Sequence, residues 1–397
     1  MASLHELLHL VARWVHLIAG IMWIGNSMLF NWLDRNLEPV PERPGAVGEN
    51  WMIHSGGFYQ VVKLIPAPGA LPKTLHWFKW QNGITWLSGI ALLVLVYHLG
   101  GAAIMVDAQV AAITGGRAIA LGIGAIVASW VLYDVIWRSP LGKHPTLATL
   151  ASALEVFLLS VLLFHHLSGR AAYMHVGVMI GTIMTGNVWF VIMPAQRELV
   201  AATSEWRKQR PERGYQAKQR SVHNNYLTFP LLFIMISNHF PTTFGNAHDA
   251  AVLLVLAAGS MGIRHLMNIR FTYPGWLTWA LALFGATCVA MLVFFAHPAG
   301  FSPARGPSIA GHVGWSDVEP IVARRCVPCH ARHPTNPAVT TAPNGVTFEE
   351  RDTVYRWRER IRLRVVELRN MPLGNATGIT DDERARIGAW IDQGARD

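Results

Sequence analysis

The stretch Trp276–His297, WLTWALALFGATCVAMLVFFAH, decides the fold class of this chain. It carries no Asp, Glu, Lys or Arg, and it is about as long as the roughly 20 apolar residues that a helix needs to cross a bilayer. Comparable segments recur through the first three quarters of the chain. The sequence therefore predicts an all-α fold, with a polytopic bundle of eight transmembrane helices in residues 1–297. The predicted spans are 6–30, 78–99, 117–137, 147–167, 171–194, 225–240, 250–269 and 276–297.

The overall composition indicates a membrane protein that carries a small water-soluble part. Of the 397 residues, 52% are apolar and only 14% are charged. An ordinary soluble domain has about 25% charged residues. The formal net charge of +9 would suggest nucleic-acid binding in a soluble protein. Here the cations collect in loops on one side of the predicted spans, so no nucleic-acid partner is expected.

The division of Lys and Arg between the loops predicts the orientation of the bundle. One alternating set of loops holds fourteen of these cations, whereas the other holds Arg170 and, if the third span begins late, Arg117. Because cytoplasmic loops carry the excess of positive charge, both termini are predicted to be periplasmic, in a multi-pass protein of the bacterial inner membrane. The cation-rich loops are 31–77, 138–146, 195–224 and 270–275, and the cation-poor loops are 100–116, 168–170 and 241–249.

A Cys-x-x-Cys-His motif, Cys326–His330, follows the last predicted span. Two thiols at this spacing can each form a thioether with a haem vinyl group, so the motif predicts a covalent haem c. A structural zinc half-site or a thioredoxin-like redox pair would use the same residue types. Zinc would need a second Cys/His pair, and the remaining cysteine, Cys288, lies in an apolar run. Haem c is attached outside the bacterial cytoplasm, which agrees with the orientation predicted from charge.

The motif and a methionine downstream of it supply the expected ligands of this haem. Cys326 and Cys329 would hold the porphyrin, and His330 would bind the iron as the proximal ligand. Met371, followed by a proline in a polar loop, is predicted to bind the sixth position through its sulfur, as in Met/His cytochromes c.

The end of the chain completes the pattern of a small α-helical domain. Thr380 and Glu383 stand at capping-box spacing before a terminal helix, and Gly394 is placed to end that helix. The order of these parts resembles that of small mono-haem cytochromes c. It predicts a periplasmic cytochrome c domain at 313–397, joined to the membrane domain by a Pro-, Gly- and Ser-rich linker at 298–312.

Three histidines within or beside the spans, His16, His175 and His239, could bind a second haem. A helical bundle usually holds a b-type haem between two imidazoles from different helices. Glycines near His16 and His175 would allow a porphyrin to approach. A haem b in the membrane domain is therefore one reading, and interhelical hydrogen bonds made by the same histidines are the other.

A second set of residues is predicted to gather in the cytoplasmic half of the bundle. A buried Arg264 needs an anion or a carboxylate beside it, for which Asp134 and Glu155 are available within the spans. Amide side chains offer both donors and acceptors, as the edges of a heterocyclic ligand require. The alternative is a structural polar network that fixes helix packing. The set comprises Trp23, Asn26, Asn187, His223, Asn224, Arg264, His265 and Asn268.

Three stretches of the bundle resemble the bacterial membrane-bound urate oxidases, also called urate hydroxylases. This family joins an eight-helix membrane domain to a C-terminal cytochrome c domain, and the resemblance covers essentially the whole chain. The stretches are Arg13–Asn26 (RWVH…WIGN), Gly181–Pro194 (GTIM…GNVW…MP) and His223–His239 (HNNYLT…SNH).

The resemblance implies that urate is oxidised to 5-hydroxyisourate and that the electrons leave through haem c. A terminal cytochrome oxidase or a soluble cytochrome would then receive them. His223 or His265 would act as the base, with Arg264 as a positive clamp. The implied urate-binding residues are Arg264, Asn187, Asn26, Asn224, Asn268 and Trp23. A quinol:cytochrome c oxidoreductase and a non-enzymatic electron-transfer subunit are the alternatives left by the residues alone.

Overall fold

Two helical parts make up the described chain, which we examined in a computed structural model. The structure describes residues 2–40, 43–65, 71–99, 102, 104–107, 110–208, 210–297, 309, 311–336, 339 and 342–395. The predicted linker at 298–312 lies outside these residues, apart from 309, 311 and 312.

Long helices form the N-terminal part, and α5 lies at its centre. More than half of the residues in the most apolar 18-residue stretch of α5 are buried. This helix packs against α2, α3, α4 and α6. The helices are α1 (Ala2–Arg35), α2 (Trp80–His98), α3 (Gly115–Arg138), α4 (Pro145–Phe164), α5 (Gly169–Ser204), α6 (Pro211–Ser237), α7 (Asp249–Ile269) and α8 (Trp276–Ala296).

Seven of these helices are long and apolar enough to cross a membrane, namely all except α6. The predicted span 225–240 forms the second half of α6, and the helix ends at Ser237. The first half of α6 carries Arg213, Lys218 and Arg220, so the helix as a whole is less apolar than a typical span. The prediction of eight spans is thus supported for seven helices.

The outer helices present apolar side chains to their surroundings. On α8, Leu281 is 61% exposed and Leu292 is 67% exposed, and α1 shows the same pattern along much of its length. Soluble monomers rarely leave contiguous apolar surfaces of this extent in water. The exposed surface of the described bundle is therefore compatible with a lipid environment.

A β-hairpin between α1 and α2 departs from the predicted all-α fold. Strand β1 (Ala46–His54) pairs antiparallel with β2 (Gly57–Leu64). The connecting residues Ser55 and Gly56 both have positive φ, as a type I′ hairpin turn requires. The all-α prediction was wrong here because the prolines of this segment flank the strands and do not interrupt them.

The C-terminal part folds around one buried tryptophan. Trp390 is fully buried, and Ile387 and Ile391 pack with it in the same core. The helices of this part are α9 (Trp315–Arg325), α10 (Arg351–Arg356), α11 (Arg358–Ile361) and α12 (Asp381–Asp392).

The predicted ends of the terminal helix α12 are confirmed. The Thr380 hydroxyl accepts a hydrogen bond from the Glu383 backbone N–H at 3.2 Å, and the Glu383 carboxylate accepts one from the Thr380 N–H at 2.9 Å. These two bonds form the capping box. Gly394 follows the helix with a φ of +90°, the backbone conformation that glycine adopts at little cost.

The C-terminal part lies against the cation-poor loops of the bundle. Gly245 in one of these loops faces Asn370, so closely that a Cβ atom at Gly245 would lie 2.6 Å from the Asn370 side-chain nitrogen. A larger residue at this position would require the Asn370 side chain or the Pro241 backbone to shift. The structure therefore places residues 313–395 on the side of the bundle that the charge distribution predicts to be periplasmic.

Candidate functional site

The Cys-x-x-Cys-His motif forms a compact turn after α9. The His330 backbone N–H donates to the Cys326 carbonyl at 2.9 Å, which returns the chain on itself and brings both cysteines and His330 to one cavity. The His330 Nδ1 atom lies 3.0 Å from the Val346 carbonyl oxygen. Because a carbonyl can only accept, Nδ1 carries the hydrogen and Nε2 keeps its lone pair. This arrangement is typical of a histidine that binds iron through Nε2.

Met371 lines the same cavity. Its backbone carbonyl accepts a hydrogen bond from Arg384 Nη1 at 2.8 Å, and the Val365 carbonyl accepts from the same nitrogen. Arg384 is only 1% exposed, and its Nε and Nη2 atoms have no hydrogen-bond partner. A buried guanidinium of this kind requires an anion nearby, as the carboxylates of a porphyrin would provide. The residues present therefore fit a haem.

The cysteines differ from those of a thioredoxin-like redox pair. Burial, with a smaller contribution from Cys329, raises the pKa of the Cys326 thiol to about 12. Burial also raises the pKa of Cys329. Reactive redox cysteines have lowered pKa values because the thiolate is the nucleophile. The surroundings of Cys326 thus favour a role other than thiol–disulfide exchange.

One cavity extends from the C-terminal part into the bundle. Its volume is about 1580 Å³, and its walls include Cys326, His330 and Met371 at one end and Trp23 and Met184 at the other. Among the described residues, side chains of both parts line it. The cavity is therefore a continuous space that joins the predicted haem c site to the interior of the helices.

A second, smaller cavity begins where the first one ends. It has a volume of about 100 Å³ and shares Trp23, Ile24, Met184 and Thr228 with the large cavity. Asn224 lines it from α6. Two of the residues predicted to bind substrate, Trp23 and Asn224, are thus brought together.

Asn187 and His223 extend this arrangement into a hydrogen-bonded chain. Asn187 Nδ2 donates to Asn224 Oδ1 at 2.9 Å and to the Tyr133 hydroxyl at 3.2 Å. The Tyr133 hydroxyl lies 2.6 Å from His223 Nδ1. The His223 ring packs on Trp137 with their centroids 4.4 Å apart. We call Asn187, Asn224, Tyr133 and His223 the Asn224 cluster.

Arg220 supplies the positive charge beside the Asn224 cluster. It is 3% exposed, and its guanidinium lies 4.7 Å from the centre of the Tyr133 ring. Nη2 donates to Asp134 at 3.1 Å, while Nη1 has no hydrogen-bond partner. Asp134, which the sequence offered as a partner for Arg264, instead pairs with Arg220 and Arg138.

Arg264, on α7, belongs to a different cluster, which packs against another face of α6. Arg264 Nε donates to Asn225 Oδ1 at 3.0 Å, and Asn268 Nδ2 donates to the same oxygen at 2.8 Å. Consecutive residues on a helix point about 100° apart, so Asn224 and Asn225 serve different neighbours. Arg264 also lies over the Phe229 ring, with the charged carbon 5.4 Å from its centre. The predicted substrate set is therefore divided: Arg264 and Asn268 line neither cavity and bond to Asn225, whereas Asn187 and His223 also line neither cavity but are linked to Asn224 through the hydrogen-bonded chain.

Two further predicted residues lie apart from both cavities. His265 is exposed, and its Nδ1 lies 2.8 Å from the Tyr226 hydroxyl. Asn26 is half-buried on α1 and lines neither cavity. Glu155, the other carboxylate offered as a partner for Arg264, is 8% exposed, and both of its carboxylate oxygens lack a hydrogen-bond partner among the described residues, so it does not bond to Arg264.

The three histidines predicted to hold a second haem occupy different surroundings. His16 and His239 line the large cavity. His175 does not: its Nε2 faces α3, where a Cβ atom at Gly122 would lie 2.5 Å from it. The structure thus places His16 and His239, but not His175, at the cavity.

Sequence reasoning missed Arg220 and Tyr133. Arg220 stands among the many cations of the loop 195–224, which hid its buried position. Its spacing of four residues before Asn224 places both on one helix face and could have revealed it. Tyr133 carries no signal in the sequence beyond its place in an apolar helix.

One protein-family model, described as "Urate oxidase N-terminal", matches residues 2–296 of the chain. The chain therefore belongs to this family. The match therefore covers the whole bundle and stops before the C-terminal part. No curated protein and no solved structure matches the chain.

Proposed function

We propose that this member of the urate oxidase N-terminal family is a membrane enzyme that oxidises urate to 5-hydroxyisourate and delivers the electrons to a covalent haem c. The reaction is balanced by water: urate and one water give 5-hydroxyisourate, two protons and two electrons. The electrons then leave to a terminal cytochrome oxidase or a soluble cytochrome. The family match supports urate-related oxidation, and the continuous cavity supports the electron route.

The continuity of the cavity carries the proposal. A substrate bound between Trp23 and Asn224 would lie at the small cavity, which shares Trp23 with the large cavity whose other end is lined by Cys326 and His330. Among the described residues, the two cavities meet at Trp23, Ile24, Met184 and Thr228. This geometry joins oxidation in the bundle to electron acceptance in the C-terminal part.

We assign urate binding to the Asn224 cluster and Trp23. Urate is a flat anion with alternating carbonyl and N–H edges. Amide groups of Asn187 and Asn224 match these edges, and Asn187 Oδ1 has no hydrogen-bond partner of its own. Trp23 offers an aromatic face for stacking, and Arg220 offers the charge that the sequence assigned to Arg264.

His223 is the base that we favour. Asn187 donates to the Tyr133 oxygen, so the Tyr133 hydroxyl hydrogen points to His223 Nδ1. Tyr133 can thus pass a proton to His223 when it takes one from the substrate side. His265, the other predicted base, is exposed and has no place in this chain of contacts.

In the C-terminal part, Cys326 and Cys329 would hold haem c, with His330 and Met371 as its axial ligands. When bound, this haem accepts electrons one at a time. Val346 fixes the His330 ring through the bond to Nδ1, and Arg384 holds the backbone of Met371. These contacts keep both ligands in place.

The proposed orientation has both termini and the C-terminal part in the periplasm of the inner membrane. Two independent features support it. Fourteen Lys and Arg residues lie in the segments that the sequence assigns to the other side of the bundle. The C-terminal part rests on the cation-poor loops, through the contact of Gly245 with Asn370.

Anaerobic reduction of the haem tests the proposal. Purified full-length protein is kept under nitrogen, and the absorbance of haem c is followed after urate is added. We expect reduction by urate without oxygen. Reduction by a quinol but not by urate would contradict the proposal and favour a quinol:cytochrome c oxidoreductase. Absence of reduction by either would favour an electron-transfer subunit without enzymatic activity.

A further inference from the structure

The bundle half of the large cavity has the features of a porphyrin site. Its walls combine one imidazole of fixed tautomer, glycines on facing helices and two arginines. We propose that this half of the cavity binds a second haem, non-covalent and b-type, with His16 as an iron ligand. The inference rests on the proposed electron route, for which this haem would lie between the Asn224 cluster and haem c.

The surroundings of His16 prepare its Nε2 atom for a ligand. His16 Nδ1 lies 2.9 Å from the Thr85 carbonyl oxygen. Because the carbonyl is an acceptor, Nδ1 holds the hydrogen and Nε2 keeps its lone pair. Histidines that bind metals almost always donate their other ring N–H in this way. Ser88 Oγ lies 3.2 Å from the same nitrogen and further fixes the ring.

Glycines leave the room that a flat macrocycle needs. Gly20 and Gly89 line the cavity from α1 and α2, beside His16. A Cβ atom at Gly89 would already lie 3.0 Å from His16 Cε1. Gly181 lines the cavity from α5, and a Cβ atom there would meet nothing within 4 Å. Gly89 thus leaves the space that the His16 ring occupies, and Gly181 leaves open space that a larger side chain would fill.

Two arginines stand where porphyrin carboxylates could be neutralised. Arg13 lies one helical turn before His16 and also lines the cavity. Arg170 lines it from the start of α5, where its Nε donates to Asn238 Oδ1 at 3.0 Å. Neither arginine has a carboxylate partner among the ion pairs of the described residues. A dianionic, otherwise apolar molecule matches this combination.

His239 is the second histidine of the bundle that lines this cavity, and we assign it as the second ligand. It follows α6 and lines the same cavity as His16. His175 is unsuited because its Nε2 faces Gly122 and not the cavity. Among the described residues no group of three or more His, Cys, Asp or Glu side chains could chelate a bare metal ion. An iron here would depend on the porphyrin for most of its ligands.

Extraction of haem from the full-length protein tests this site directly. Acidified acetone removes haem b and leaves thioether-linked haem c on the chain, and a pyridine haemochrome spectrum distinguishes the two. We expect about one extractable haem b for each covalent haem c. His16→Ala should lose most of the extractable haem and retain haem c. A purified wild-type protein with haem c only would overturn the inference.

Matched variants separate haem loss from misfolding. Gly181→Phe should fill the cavity and remove haem b, whereas Gly124→Phe, at an exposed glycine with nothing within 4 Å of its Cβ position, should not. His165→Ala, at an exposed histidine that does not line the cavity, should keep both haems. Retention of haem b in both His16→Ala and Gly181→Phe would overturn the site.

The spectrum of His239→Ala tests the second ligand. With two imidazoles the haem b is low-spin, and loss of one should give a high-spin spectrum with the haem retained. An unchanged low-spin spectrum would overturn the assignment of His239. Failure of the site is distinguishable from failure of the proposed function: urate would still reduce haem c under nitrogen in a protein that contains no haem b.

Discussion

The bundle and the C-terminal part hold their polar groups in different ways. In the C-terminal part, the residues proposed to bind haem c include the turn Cys326–His330, whose ends are joined by a local hydrogen bond. In the bundle, the polar residues meet across helices, as when Asn187 on α5 bonds to Asn224 on α6. The difference suggests a division of work, with substrate oxidation in the bundle and electron acceptance in the C-terminal part. Substitutions in one part at a time can therefore test this division.

The largest effect is expected from the C-terminal part. His330→Ala should remove the proximal ligand of haem c and abolish urate-driven electron transfer to an external cytochrome. Urate binding in the bundle should persist, because no residue of the Asn224 cluster contacts His330 in the described structure. Absorption spectra measure the haem, and calorimetric titration of urate measures binding. Loss of both haem c and urate binding in His330→Ala would contradict this division of function between the bundle and the C-terminal part.

The next effect is expected in the bundle. Asn224→Leu should lower kcat/KM for urate by on the order of 100-fold, since it removes a polar group from a buried site and breaks the hydrogen bond from Asn187 Nδ2. Haem c content should be unchanged. Asn26→Leu is the control, because Asn26 lines neither cavity and should retain near-normal kcat/KM. Equal losses of kcat/KM in Asn224→Leu and Asn26→Leu would contradict the assignment of urate binding to the Asn224 cluster.

Substitution of two arginines then tests where the substrate binds. Arg220→Gln should lower kcat/KM by roughly tenfold, the effect of about 1.4 kcal/mol of lost charge interaction. Arg264→Gln should mainly lower stability, by about 1–3 kcal/mol, because it breaks the contact with Asn225. Steady-state kinetics and thermal unfolding separate the two outcomes. If Arg264→Gln lowered kcat/KM and Arg220→Gln lowered only the stability, the substrate would bind at Arg264 instead.

The smallest effect concerns the pH stability of the C-terminal part. Burial alone would raise the pKa of Glu383, but hydrogen bonds from the Thr380 N–H and from Arg325 outweigh it and hold the pKa below its usual value. A carboxyl with a lowered pKa stabilises the fold above its unfolded-state pKa, and this contribution is lost as pH falls through the lower, folded-state pKa.

Glu383→Gln should therefore cost about 0.5–1 kcal/mol near neutral pH, and less in acid. Arg386→Gln is the control, since Arg386 makes only an exposed pair with Asp382 on the same helix. Thermal unfolding of the full-length protein, followed through the haem absorbance at several pH values, measures both. A constant difference between Glu383→Gln and wild type at all pH values would contradict the role of the Glu383 charge.

The two regions also differ in how much of them the sequence could predict. The ends of α12 were predictable because Thr380, Glu383 and Gly394 act through contacts within a few residues. Seven of the apolar helices were predictable for a similar reason, since length and hydropathy are local properties. The hairpin at β1 and β2 was missed, as the surrounding prolines suggested an irregular loop.

The division of the predicted substrate residues could not be read from the sequence. Asn224 and Asn225 are adjacent, yet one faces α5 and the cavity while the other faces Arg264 on α7. Only the packing of α6 against both helices determines which amide meets which partner. The burial of Arg220 has the same origin, because its partner Asp134 lies on α3.

The electron count per urate tests the central proposal most directly. Full-length protein is mixed under nitrogen with urate and excess oxidised soluble cytochrome c, in water labelled with heavy oxygen. We predict two cytochromes reduced for each urate consumed, with the labelled oxygen in the product. Urate consumption that requires dioxygen, or product oxygen that comes from dioxygen, would contradict oxidation through haem c.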